Sequence, residues 1–166
     1  MVTRKKITDP DTKPQHGLKM RLDDMMTIQP KTEKQKEFFD AYQQGHYFCA
    51  LSGVAGTGKT YIAFYKALEE VMEKSNPYTK LVIIRSSVQS REMGHLPGDA
   101  QEKMNQFTEP YKQITAELFK RKDAWDRLVE QGYVEFLSTS FIRGTTFNNA
   151  IVMLDESQNC TMHELD

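Results

Sequence analysis

Gly53-Val-Ala-Gly-Thr-Gly-Lys-Thr60 is the stretch on which the reading of this chain turns. Its spacing is GxxxxGK[ST]. It follows the continuous apolar run Tyr47-Phe-Cys-Ala-Leu51 and precedes apolar residues at helical spacing, Ile62, Tyr65, Leu68 and Met72. A buried strand, a glycine-rich turn and a helix in that order aim consecutive backbone N–H groups and the positive end of the helix dipole at one point, the requirement for holding phosphates. In this reading Gly53, Val54, Ala55, Gly56, Thr57 and Gly58 cradle the phosphates of a bound ATP. Lys59 neutralises the β- and γ-phosphates and is a catalytic candidate, and the Thr60 hydroxyl completes a Mg2+ shell.

Working outward, Leu81-Val-Ile-Ile84 is a second apolar run, so that strand, helix and strand form a βαβ unit. Tyr133–Leu137 and Ala150–Leu154 are two further strand candidates. On the other side, Thr32 and Gln35 have the spacing of a capping box, opening a helix through Phe38, Phe39 and Tyr42 that Gly45 stops. Asp99 and Glu102 form another cap signature ahead of Tyr111, Ile114, Leu118 and Trp125, which read as two helices or as one broken at Pro110. Strands alternating with helices predict an α/β fold with a mainly parallel sheet flanked by helices.

The fourth apolar run ends directly at Asp155-Glu156. Carboxylates at the C-terminal end of a strand, beside a phosphate loop, suit two tasks. Asp155 is the candidate metal residue and Glu156 the candidate catalytic base that polarises an attacking water. Gln158 is placed either to report the γ-phosphate or to stand as a solvated loop amide. Gln35 is placed either to read the adenine edge or only to cap its helix. Arg85 and Ser86 follow the second strand, and Arg143 and Thr145 follow the third. These four are candidates for the phosphates of single-stranded nucleic acid, with ion pairs and loop hydrogen bonds within the chain as the alternative.

Composition bounds the rest. The chain has 166 residues, 39% of them hydrophobic, which suits one domain. No apolar run approaches the roughly 20 residues that cross a bilayer, and the basic start leads into no apolar signal region. A cytoplasmic protein without membrane association is therefore expected. Cys49 and Cys160 show no metal-ligand spacing and read as reduced thiols. A net charge of −1 gives no global argument for a polyanionic partner. Residues 1–27 are polar and aperiodic and read as a flexible arm, leaving 28–166 as the folded domain.

With these residues in view, the chain resembles the PhoH family. The resemblance rests on Gly53–Thr60, on Ile84-Arg85 followed by Gly94-His-Leu-Pro-Gly-Asp99 and Glu102-Lys103, on Phe141-Ile-Arg-Gly-Thr-Thr146, and on Leu154-Asp-Glu-Ser-Gln-Asn159, which also looks like the DExQ box of superfamily 1 helicases. The resemblance implies a RecA-like P-loop NTPase fold, ATP and Mg2+ as ligands, association with RNA, ring-shaped, hexameric homo-oligomers, and a bacterial or phage-infected host cytoplasm. It also implies further strands, a phosphate sensor and arginines beyond Asp166, so that the domain is expected to be incomplete at its C-terminus and to turn ATP over slowly or not at all. A second reading is a nucleotide-dependent binding module that does no work on nucleic acid. A GTPase would carry an NKxD segment and an ABC-type ATPase an LSGGQ segment, and the sequence contains neither.

Overall fold

The computed structural model of the chain describes residues 19–86, 100–142 and 144–165. Thr32 stands in an extended conformation and its hydroxyl accepts from the Gln35 N–H at 3.2 Å, capping α1 (Glu33–Gln43). The expected capping box is half formed: the Gln35 side-chain carbonyl accepts from the Lys31 N–H at 2.7 Å rather than from that of Thr32. No residue of α1 is fully buried. It holds to the core through Phe39, whose ring stacks on Tyr65 with centroids 6.2 Å apart.

The run Tyr47–Leu51 departs from expectation. It lies in no strand, and Tyr47 and Phe48 are 99% and 85% exposed. An apolar run becomes a buried strand only where a neighbour accepts its backbone hydrogen bonds. Each described strand pairs within a three-stranded sheet that does not include this run.

α2 (Lys59–Met72) starts at Gly58, whose φ of +82 turns the chain out of the loop at a cost that only glycine avoids. Its Phe64, Tyr65, Leu68, Val71 and Met72 are buried at helical spacing. β1 (Lys80–Arg85) follows as the central strand, with Leu81, Val82 and Ile83 wholly buried. β2 (Val134–Ser138) and β3 (Ala150–Asp155) flank it, both parallel to it, in the order β2-β1-β3. The register sets Ile83 beside Phe136 and Met153, and Arg85 beside Ser138 and Asp155. The C-terminal ends of all three strands therefore open on one edge, where ligands of open parallel sheets bind.

α3 (Ala100–Phe119) and α4 (Ala124–Glu130) carry the chain from β1 to β2. α3 runs through Pro110, and the break falls instead beyond Phe119, at Lys120, whose φ is +54. Tyr111, Thr115 and Leu118 are completely buried, so packing holds the helix past the N–H that proline lacks. One core joins α2, α3, α4 and the sheet face bearing Leu81, Ile83 and Val134. On β3, Ile151 and Met153 pack against that core, whereas Val152 and Leu154 are 45% and 39% exposed. The strand is apolar throughout but alternates in space, because successive side chains point to opposite faces and only the face of Ile151 and Met153 meets the core.

Residues 19–27, which the sequence assigns to a polar arm, pack onto the domain. Met20 and Met25 are 2% and 8% exposed, and the Met26 N–H donates to the Leu118 carbonyl at 2.8 Å. Two methionines in a polar stretch carry no period, so their burial could not be read locally. No helix among the described residues is long and apolar enough to cross a membrane.

Candidate functional site

The loop between Leu51 and α2 takes its shape from Gly56 and Gly58, both at positive φ, which let the chain curl back on itself. Inside the curl the Lys59 ammonium donates to the carbonyls of Gly53 and Val54, each at 2.8 Å. The Thr57 hydroxyl donates to the Val54 carbonyl, also at 2.8 Å. From outside, the Gln35 side-chain amide donates to the Thr57 carbonyl at 3.2 Å. Gln35 thus ties α1 to the loop, with its carbonyl taken by Lys31 and one N–H by Thr57.

Asp155, the last residue of β3, meets the loop. Its Oδ1 accepts from the Thr60 hydroxyl at 3.1 Å, bringing together residues 95 apart in sequence. Its Oδ2 accepts from the Tyr111 hydroxyl, which reaches up from the core. Burial, followed by the charge of Asp155 and this hydrogen bond, pushes the Tyr111 phenol far above its ordinary range, so that it remains a neutral donor. Asp155 and Thr60 together offer two oxygen donors at one point, and no group of three or more His, Cys, Asp or Glu residues suited to a metal occurs among the described residues. That donor set fits a hard cation that keeps water and phosphate oxygens in its shell better than one that demands a full protein cage.

Glu156 follows at φ +53, in the left-handed region, which redirects the chain at the end of β3. Its carboxylate accepts from the Gln158 side-chain amide, so these two candidates engage one another. Of the nucleic-acid candidates, the Arg85 guanidinium lies over the Phe107 ring, 5.4 Å from its centroid. The Ser86 hydroxyl lies 3.3 Å from the Asn159 carbonyl and 3.4 Å from Glu164. Thr145 is exposed, and its N–H donates to the Ile142 carbonyl at 3.0 Å. Arg143 lies outside the described residues, as does the segment Gly94–Asp99.

Two residues of the site escaped the sequence reading. Tyr111 reads as one apolar member of a helical stripe, although a buried phenol needs a partner for its hydroxyl, and that need was the available signal. Glu164, on the single turn α5 (Met162–Leu165), binds the three strand ends together. It accepts from Thr139 after β2, from Ser86 after β1, and from the Thr161 N–H and hydroxyl after β3, the last two at 2.8 and 3.0 Å. The Thr139 hydroxyl, then the Thr161 donors, hold its carboxyl down at about 2. No local pattern marks a glutamate that serves three loops.

Comparison with known proteins bears on the same region. A family model described as PhoH-like protein matches residues 27–166. A PhoH-like protein of Mycobacterium leprae is 34% identical over 145 residues, covering 84% of this chain and 39% of that protein. A PhoH-like protein of Bacillus subtilis is 35% identical over 136 residues, covering 81% of this chain and 41% of its own length. Protein PhoH of Escherichia coli K12 is 33% identical over 144 residues, covering 86% and 40%. The chain thus spans about two-fifths of the length of these curated relatives.

Proposed function

The chain belongs to the PhoH family, and from that premise we propose that it is a cytoplasmic protein that binds Mg-ATP at the loop Gly53–Thr60 and acts as an ATPase linked to single-stranded RNA. The observation that carries the reading is the hydrogen bond of 3.1 Å between Thr60 and Asp155. A hydroxyl at the first turn of the loop helix and a carboxylate at the end of a neighbouring parallel strand are the two protein oxygens a nucleotide-bound Mg2+ needs. When bound, the ion would neutralise charge on the phosphates.

The remaining roles belong to the chain. The loop N–H groups and the start of α2 supply positive potential for phosphate oxygens. Lys59, now on two neutral carbonyls, would exchange them for charged phosphate oxygens, a stronger class of hydrogen bond. Glu156 would orient the attacking water once released from Gln158. Arg85 closes β1, Ser86 follows it and Thr145 lies beyond β2; these three, with Arg143, would meet nucleic-acid phosphates. Self-association into rings remains part of this proposal through the family alone.

The contact between Gln158 and Glu156 favours a second reading. A base held by an amide suits a module whose nucleotide state is sensed and which turns over slowly. Phosphate release from Mg-ATP, with and without single-stranded RNA and with Lys59→Ala as control, separates the readings. Turnover raised by RNA and absent in the control supports the ATPase. Binding of Mg-ATP without RNA-dependent turnover supports the module, and absence of Lys59-dependent binding overturns both.

A further inference from the structure

Asp155 has two oxygens, and they face different parts of the molecule. Oδ1 faces the loop and takes the Thr60 hydroxyl, while Oδ2 faces the core and takes that of Tyr111. Tyr111 is wholly buried. Its ring lies 5.8 Å, centroid to centroid, from each of Phe64, Trp125 and Phe136, at interplanar angles of 38°, 23° and 53°. On α3 the Thr115 hydroxyl donates to the Tyr111 carbonyl at 2.9 Å. The ring is thus wedged among three others, and its hydroxyl sits where the packing puts it.

We propose that Tyr111 is a positioning residue for the carboxylate of Asp155, orienting Oδ1 toward the cation-binding point beside Thr60, and that Trp125, stacked on Tyr111, senses what binds there. The inference rests on the reading of Asp155 as a metal carboxylate. A phenol suits the task because it satisfies one oxygen and fixes the carboxylate plane while leaving the negative charge for the cation. A lysine or arginine in its place would spend that charge on an internal ion pair. The geometry also explains why a tyrosine, rather than a phenylalanine, stands in a core stripe: its ring fills the core and its hydroxyl reaches the Asp155 carboxylate. Partners of metal ligands that orient them typically contribute 10- to 100-fold to metal affinity.

Trp125 is the sole tryptophan of the chain, so its emission is free of other indoles. A cation taking Oδ1 draws on the carboxylate that Tyr111 grips, and the stacked indole is the next group in line.

The test uses the whole chain with MgCl2 and ADP. Calorimetry of ADP binding across a Mg2+ series gives the concentration at half-maximal effect, and Trp125 emission is followed in parallel. Trp125 emission should change on adding Mg2+ with ADP. Tyr111→Phe, which keeps the ring, should bind ADP with a Mg2+ requirement raised about 10- to 100-fold, while ADP affinity in the absence of Mg2+ stays at the parent value. The variant should also lose the emission change. A Tyr111→Phe chain that is less stable yet keeps the parent Mg2+ requirement has lost a structural hydrogen bond only, which overturns the inference and leaves the functional reading standing. Should the variant fail to fold, the parent decides: Mg2+-dependent ADP binding with unchanged Trp125 emission overturns the inference. A parent chain that binds no ADP at any Mg2+ concentration overturns the functional reading, and the inference with it.

Discussion

Asp155→Ala in the absence of nucleotide and divalent cation should destabilise the chain mainly through a group it leaves behind. The Tyr111 hydroxyl is wholly buried and donates to Asp155 Oδ2. Deleting the acceptor strands that donor, at about 1–3 kcal/mol. Thr60 also loses its partner, but it stands at the half-buried start of α2, where water replaces the carboxylate, so that loss is about 0.5–1 kcal/mol. The single substitution should therefore cost about 1.5–4 kcal/mol in total. In a Tyr111→Phe background the stranded hydroxyl is gone, and the same substitution should cost about 1 kcal/mol or less. Relief of repulsion between Asp155 and Glu156 enters both legs of the cycle and cancels. Urea unfolding of the four chains with a chelator present, followed by circular dichroism, gives the coupling energy. A coupling of about 1–3 kcal/mol is expected. Additivity within about 0.5 kcal/mol would refute the claim that Tyr111 depends on Asp155.

Phe48→Ala should change stability by no more than about 0.5 kcal/mol, since the ring is 85% exposed, whereas Leu68→Ala, wholly buried, should cost about 2–5 kcal/mol; equal losses in the same urea assay would put Phe48 in a core. Gln35→Ala should weaken ATP and GTP binding alike, by about two- to tenfold, because its amide ties the Thr57 carbonyl rather than standing free for a base. A loss confined to ATP, measured by calorimetry, would show that Gln35 reads adenine. Glu164 titrates at about 2 in the folded chain against an ordinary 4.5, so the stabilisation from its ionised form is complete above pH 4.5 and is lost as pH falls toward 2. Glu164→Gln should flatten the fall of the thermal midpoint over that window, and parallel curves for the two chains would refute the role of Glu164.

The edge formed by the three strand ends brings the proposed phosphate site and the candidate nucleic-acid residues under common constraints. Asp155 and Arg85 are register partners, and Glu164 holds the loops after all three strands through Ser86, Thr139 and Thr161. A displacement of the loop after β3 would therefore be felt at the ends of β1 and β2 through one carboxylate. The Arg85 guanidinium, seated over Phe107 at 5.4 Å, connects the same edge to α3, the helix that carries Tyr111.

What depends on short-range chemistry was legible in the linear chain. The spacing of Gly53 to Thr60, the helical stripe from Ile62 to Met72 and the apolar runs at Leu81–Ile84, Tyr133–Leu137 and Ala150–Leu154 determined an α/β chain with a glycine-rich loop on a helix start and two carboxylates after a strand. Backbone geometry and side-chain periodicity act within a few residues, so a linear reading recovers them. Which groups meet depends on how the elements pack in three dimensions. Tyr47–Leu51 has the composition of a buried strand and lies outside the sheet, because burial requires a partner that composition does not name. Met20 and Met25 entered the core from a polar stretch because the surface near Leu118 and Gln131 received them. Asp155 gained Thr60 and Tyr111, residues 95 and 44 positions away, and those contacts exist because two crossover connections return β3 to the side of β1. A hydrogen bond across such a distance has no local signature, since it depends on the packing of every element between its two ends.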